Sequence, residues 1–208
     1  MMKQITLIIS LLTLLFVNQA WAELEDGQRI EKYRKKWENL IPRQIKLQYA
    51  GSMGMFSTGP GWFYGRRNQW ETDIFIGAIP RINDSKGHVT ITLKQTYTPF
   101  HFPFNDRFSY EPLTTGIYLN KIFGEYFWSR LPEKYPKGYY FWAVNMRFHV
   151  SLGQAFTFRL GEETTGKKLS LFYEFNTNDL YLISAWSNRT IGFKDIVGLS
   201  FGIRYRVF

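Results

Sequence analysis

Residues 145–160 read Asn-Met-Arg-Phe-His-Val-Ser-Leu-Gly-Gln-Ala-Phe-Thr-Phe-Arg-Leu. The even positions Met146, Phe148, Val150, Leu152, Gln154, Phe156, Phe158 and Leu160 are apolar except at Gln154. The odd positions Asn145, Arg147, His149, Ser151, Gly153, Ala155, Thr157 and Arg159 are polar or small. Side chains of a strand alternate between two faces. A strand of a soluble protein runs for about 5–6 residues, whereas one that crosses a bilayer needs about 9–11. The stretch therefore reads as a membrane-crossing strand with one face toward lipid.

The same period of two recurs on both sides of it. Ile45, Leu47 and Tyr49 alternate with Lys46, Gln48 and Ala50. Trp70, Thr72, Ile74, Ile76 and Ala78 form a face opposite Glu71 and Asp73, and Val89, Ile91, Leu93 and Tyr97 one opposite Lys94 and four threonines. Further segments lie near residues 113–123, 142–160 and 168–175. Leu180–Trp186 is a short apolar run that suits a strand or a helical turn, and Leu199–Val207 is the last alternating segment. Ser57-Thr58-Gly59-Pro60-Gly61 is a kink within one long strand or a turn between two. Taking residues 45–65 as one kinked strand gives about eight strands, the even number that barrels of bacterial single chains carry. A barrel of that size has its interior filled by side chains, which excludes an open porin.

The ends and the composition fix the setting. Met1-Met2-Lys3, an apolar run from Ile5 to Val17 and Ala20-Trp21-Ala22 form an export signal, expected to be cleaved after Ala22. There is no cysteine, so lipid attachment at a mature N-terminal Cys, disulfides and thiolate chemistry are excluded. In residues 23–42, Ile30, Tyr33, Trp37, Leu40 and Ile41 recur at helical spacing among Arg29, Lys32, Arg34, Lys35 and Lys36, until Pro42 ends the segment. This is an amphipathic basic helix, placed either at a membrane interface or at the mouth of the barrel. The expected layout is a signal peptide over 1–22, a helix over 23–42 and a barrel over 43–208. The net charge of +9 suits anionic lipid phosphates; no nucleic-acid recognition motif appears.

Alternation sends one set of charges inward: Lys46, Glu71, Asp73, Lys94, Arg147, Glu174, Arg204 and Arg206, with His149 beside Arg147. In a narrow lumen they must pair, since a buried unpaired charge is costly. Trp37, Trp62, Trp70, Trp128 and Trp142 are expected at headgroup depth, where amphipathic rings gather. The aromatic connection over 124–141 raises a conflict. On strict alternation from a periplasmic N-terminus it falls in the periplasm, where barrel turns are usually short. Either a strand boundary near residues 57–61 is missing from the count, or the connection is an exception.

The export signal, the alternating segments and the terminal Phe208 look like a small, eight-stranded Gram-negative outer-membrane β-barrel, an all-β, antiparallel up-and-down architecture. That resemblance implies an outer-membrane location among lipids including lipopolysaccharide, and insertion by the barrel-assembly machinery. The final strand departs from the usual terminal signature, because Arg204 and Arg206 share the face of Phe208. Lipid A deacylases carry a His-x-Ser-Asn stretch in which the His activates the Ser. The similar stretch here is Ala185-Trp186-Ser187-Asn188, which keeps Ser187 and Asn188 but has Ala185 in place of the His. The lipid A palmitoyltransferases are similar in placing an amphipathic helix before the barrel; their surface His, Asp and Ser would correspond to His101, Asp106 and Ser109 in one loop. The three histidines have no metal-ligand spacing, so no metal or cofactor is expected. His88 opens a strand after Lys86-Gly87 and reads as a solvated turn residue. The leading expectation is an integral outer-membrane protein with an envelope structural, adhesion or interaction role. A lipid A or phospholipid-modifying enzyme is the alternative. Passage of a small hydrophobic molecule through a lateral opening, hinted at by Pro60 and Pro99, is a third.

Overall fold

In the computed structural model the described residues are 29–81, 87–124, 145–161, 166–188 and 192–207. The signal segment, Trp128, Trp142 and Phe208 lie outside them. Residues 29–40 form a helix, α1, every residue of which is exposed.

The barrel is built from β1 (Gln44–Ala50), β2 (Phe56–Tyr64), β3 (Trp70–Ile79), β4 (His88–Tyr97), β5 (Phe102–Pro103), β6 (Phe108–Phe123), β7 (Met146–Arg159), β8 (Lys168–Asn178) and β9 (Gly198–Arg206). Helices α2 (Asp179–Ser187) and α3 (Phe193–Ile196) lie between β8 and β9. Apart from β4 and β5, each strand pairs antiparallel with its neighbours in sequence. β1 also pairs with β9 and β4 with β6, which closes the sheet. The two-residue β5 only lengthens the β6 edge, so eight strands form the wall among the described residues. This is the closed eight-stranded antiparallel barrel that the resemblance to small outer-membrane barrels implies. The outer face carries Ile45, Leu47, Ile76, Leu93, Ile117, Leu152, Phe175 and Phe201, all exposed, while the inner positions are buried and mostly polar.

The strand count of eight is reached by a different division from the one expected. Residues 45–65 are two strands, not one. The turn lies at 51–55, ahead of the Ser57–Gly61 segment, which is strand throughout. Ala50, Gly51, Ser52 and Gly54 take positive φ there, and this sharp left-handed run reverses the chain. Leu180–Trp186 is helix rather than strand: the Asn178 side chain accepts a hydrogen bond from Tyr181 N at 2.8 Å and caps α2. One strand gained and one lost leave the number unchanged, but they shift every connection between them to the opposite end. β6 thus ends and β7 begins at the end of the barrel opposite the start of β1. Residues 43 and 207, which flank the first and last strands, share their end with the turn at 65–69, the 98–107 loop and the junction of β7 and β8. With this division, strict alternation from a periplasmic start of β1 no longer sends the junction of β6 and β7 to the periplasmic end.

Pro60 does not open the wall. It lies inside β2 opposite Ile45 of β1, and its missing N–H coincides with a short gap in the β2–β3 register between Thr58 and Gly61. Gly59 next to it comes so close to β3 that a Cβ there would collide with the Ile74 carbonyl. The strands are pressed together where a lateral gap was expected. Pro112 serves a different purpose. It lies in a bulge of β6, where the register jumps between Glu111 and Thr114. An extra residue flips the strand's alternation, so both Glu111 and Thr114 are buried inside.

Candidate functional site

The lumen holds two layers of charge. In the layer nearer the termini, Lys46 on β1 donates to Glu71 at 2.7 Å and to Asp73 at 2.6 Å, both on β3. Gln44 Nε2 donates to Asp73 at 2.8 Å. Arg204 on β9 donates through Nη1 to Glu71 Oε1 at 2.6 Å and through Nη2 to both oxygens of Glu111, at 2.8 and 2.9 Å. Its Nε reaches Ser170 Oγ at 3.2 Å, and that hydroxyl also pairs with Thr157 at 2.7 Å. Arg206 bonds Glu71 and lies 4.9 Å from the Phe63 ring, which sits over it toward the mouth. Three cations and three carboxylates are balanced here, all nearly inaccessible to solvent.

The second layer is smaller. Lys94 on β4 pairs with Glu174 on β8, and its ammonium lies 5.4 Å from the centre of the Tyr118 ring. Tyr118 stacks on His149, with centroids 4.6 Å apart and planes nearly parallel. His149 is thus an aromatic partner inside the wall. Arg147 stands apart from both layers, since it meets Asp179 of α2 at 3.9 Å at the far end.

Above the second layer the β1–β2 turn folds into the barrel. Tyr118 Oη donates to Gly51 O at 2.8 Å, Asn120 Nδ2 to Ser52 O at 2.6 Å, and the Thr90 hydroxyl bonds Met53 O. These bonds hold the strained positive-φ backbone of Ala50 and Ser52 in place. The Met53 side chain is buried against Phe75 and Tyr118. Gly77 makes room, since a Cβ there would strike the Met53 carbonyl. The lumen is therefore stoppered by its own chain at one end and locked by ion pairs at the other.

At the rim near the termini, His101, Asp106 and Ser109 do come together, lining a recess of about 50 Å³ with Arg107, Arg159 and Lys168. No hydrogen bond joins the three among the described residues. His101 Nδ1 instead faces the buried Glu111 carboxylate at 3.6 Å. Ser187 is the last residue of α2, exposed beside Trp186, and Asn188 caps the helix by donating its N–H to Ser184 O at 2.9 Å. With Ala185 one residue from Trp186, this stretch presents no base to Ser187. His88 opens a strand as expected, the first residue of β4 opposite Ile79, but is half-buried there rather than solvated.

Among the expected interface rings, Trp62 and Trp70 stand on the outer wall near the termini. Trp70 packs on Tyr97 in a tilted pair at 4.5 Å, and Tyr110 stacked on Phe156 at 4.8 Å continues the aromatic belt. Trp37 is exposed on α1. Several polar groups on this outer belt bond one another: Tyr64 Oη and Thr72 Oγ1 both donate to Gln95 Oε1, at 3.1 and 2.7 Å, and Tyr173 Oη donates to Gln154 at 2.6 Å. The one polar interruption of the 145–160 outer face is thus satisfied within the wall.

Two charged partners were not foreseen, Glu111 in the lumen and Asp179 on α2. The expected inward set has five cations, Lys46, Lys94, Arg147, Arg204 and Arg206, against three carboxylates, Glu71, Asp73 and Glu174. Glu111 and Asp179 make up the difference. That imbalance, together with Pro112 inside a strand, was the available signal for Glu111.

No protein-family model and no curated protein matches the chain. Among solved structures it is similar to one described as the crystal structure of the outer membrane enzyme PagL, at 12% identity and a TM-score of 0.36, over 79% of this chain and 97% of that one. At that identity and score the likeness assigns no residue role here.

Proposed function

We propose that the chain is an integral protein of the Gram-negative outer membrane. It is a sealed, non-conducting barrel that serves an envelope structural, adhesion or interaction role, surrounded by outer-membrane lipids including lipopolysaccharide and inserted by the barrel-assembly machinery. The observation that supports this is the closed lumen: the Glu71–Arg204–Glu111 ion pairs at one end and the inward β1–β2 turn at the other leave no path through the described wall. Its strands alternate an apolar outer face with a polar inner one, as transmembrane barrels do. The end with short turns, where the barrel's first strand begins and its last strand ends, then faces the periplasm. The test is fractionation followed by electrophoresis with and without boiling, together with lipid A mass spectra from deletion and overexpression strains. A heat-modifiable outer-membrane band with unchanged lipid A supports the reading. A soluble protein, or an altered lipid A, overturns it.

A second reading, a lipid A or phospholipid-modifying enzyme, is favoured by one observation: His101 beside the buried Glu111, at a basic recess that also holds Ser109. A carboxylate that orients a histidine next to a hydroxyl is the arrangement nucleophilic catalysis uses. Turnover of a phospholipid or lipid A by the purified protein, abolished in H101A and S109A but retained in S187A, would establish it.

A further inference from the structure

Helix α1 exposes what a helix in water buries. Ile30, Tyr33, Trp37 and Leu40 follow one another at steps of three or four and share one face. Each is more than half exposed, and so is Ile41 just beyond the helix. An isolated helix of about a dozen residues is marginal in water, so this one needs a surface to hold it.

The charges say which surface. At helical spacing, Arg29 and Lys36 border one edge of the apolar stripe and Arg34 borders the other. Glu31 and Glu38 lie away from it, each paired within the helix: Lys35 with Glu31 at 3.2 Å and Arg34 with Glu38 at 3.6 Å. Five basic side chains over residues 29–40 stand against these two acids. Cations along both margins of an apolar stripe match a plane of phosphates above hydrocarbon. The aromatic rings then sit at the boundary, and the aliphatic stems of Lys and Arg reach up to the headgroups.

We propose that α1 lies on the bilayer as an interfacial helix that binds anionic phospholipid in the leaflet on the side of the barrel's termini. This rests on the membrane reading of the barrel, with the short-turn end periplasmic, which makes phospholipid rather than lipopolysaccharide the source of the phosphates. Each basic residue near an anionic surface strengthens partitioning about fivefold, so the net three positive charges of α1 strengthen it on the order of a hundredfold.

The absence of cysteine allows a clean test. The purified protein carries an environment-sensitive fluorophore at Y33C, on the stripe, or at N39C, on the opposite face. It is reconstituted into phosphatidylcholine vesicles with or without phosphatidylglycerol, and brominated acyl chains serve as quencher. The label at position 33 should be blue-shifted and strongly quenched when phosphatidylglycerol is present, and the label at 39 should stay in water. Adding R34Q with K36Q, or raising the salt, should return the label at 33 toward water. A label at 33 that stays wet in both lipids overturns the proposal. So does one that is dry but unquenched, because the helix then packs on protein. Heat-modifiability of the same samples separates the two claims: an inserted barrel with a wet helix rejects this proposal alone, whereas no inserted barrel rejects the membrane reading and this proposal with it.

Discussion

Arg204 on β9 grips both oxygens of Glu111 on β6, at 2.8 and 2.9 Å, across the interior of the barrel. The two residues are 93 apart in sequence. Neither strand is the other's neighbour in the sheet, so this bond ties opposite parts of the wall together. The same guanidinium holds Glu71 of β3, which makes it the hub of three strands.

Replacing that hub should be costly. Removing one partner of a buried ion pair typically loses about 3–5 kcal/mol, because the remaining charge stays buried and unpaired. R204L leaves Glu111 without its arginine, while Glu71 keeps Lys46 and Arg206, and should lower the urea midpoint of the refolded barrel steeply. R204L combined with E111L should recover part of the loss. Equal stability of the two variants would show that the pair is energetically idle.

Deleting Pro112 should be worse than any substitution there. The bulge is what turns Glu111 inward. Without it the β6 residues on one side of the deletion exchange faces, and Glu111 points into lipid while Arg204 loses its bidentate partner. The deletion variant should give little or no heat-modifiable band, whereas P112A, which keeps the residue count, should assemble.

Gly59 admits no side chain. G59A places a methyl group against the Ile74 carbonyl and should reduce the assembled fraction sharply. G87A is the matched control, as the nearest atom to its added Cβ is 3.3 Å away. Circular dichroism and the boiled–unboiled gel shift read both.

The stoppered lumen should not conduct. In planar bilayers the unmodified protein is expected to show no stepwise current. Y118F with N120A removes two of the bonds that hold the β1–β2 turn, at a cost of about 1–3 kcal/mol for each carbonyl left unsatisfied. Brief openings in that variant would identify the turn as the stopper. Steady large currents from the unmodified protein would refute the sealed-barrel reading.

The parts of this molecule legible in the sequence are those governed by strict alternation. The outer face of residues 145–160, the inward carboxylates Glu71 and Asp73, and the basic pair Arg204 and Arg206 follow from period two alone. The parts that were not legible are those where the period is broken on purpose. The turn at 51–55 uses Ala50 and Ser52 in the left-handed region, which ordinary residues rarely signal. The Gly-Pro-Gly of 59–61, which looks like the stronger turn, is held straight by close strand packing. The bulge at Pro112 hid Glu111 by reversing its face. Leu180–Trp186 suits a strand or a helical turn by composition, and it is helix behind the Asn178 cap. His101, Asp106 and Ser109 were grouped by nearness in the chain and do share one recess. What the sequence withheld is that the histidine's closest acidic neighbour is Glu111, not Asp106.

Arg204 sits on the last strand and Lys46 on the first, so the carboxylates of β3 and β6 cannot all be neutralised until the seam between β1 and β9 zips shut. An open sheet in hydrocarbon would carry bare negative charges from its middle strands. Half-built forms are therefore penalised and closure is rewarded all at once, so the barrel should assemble as a cooperative unit whose final strand acts as the latch.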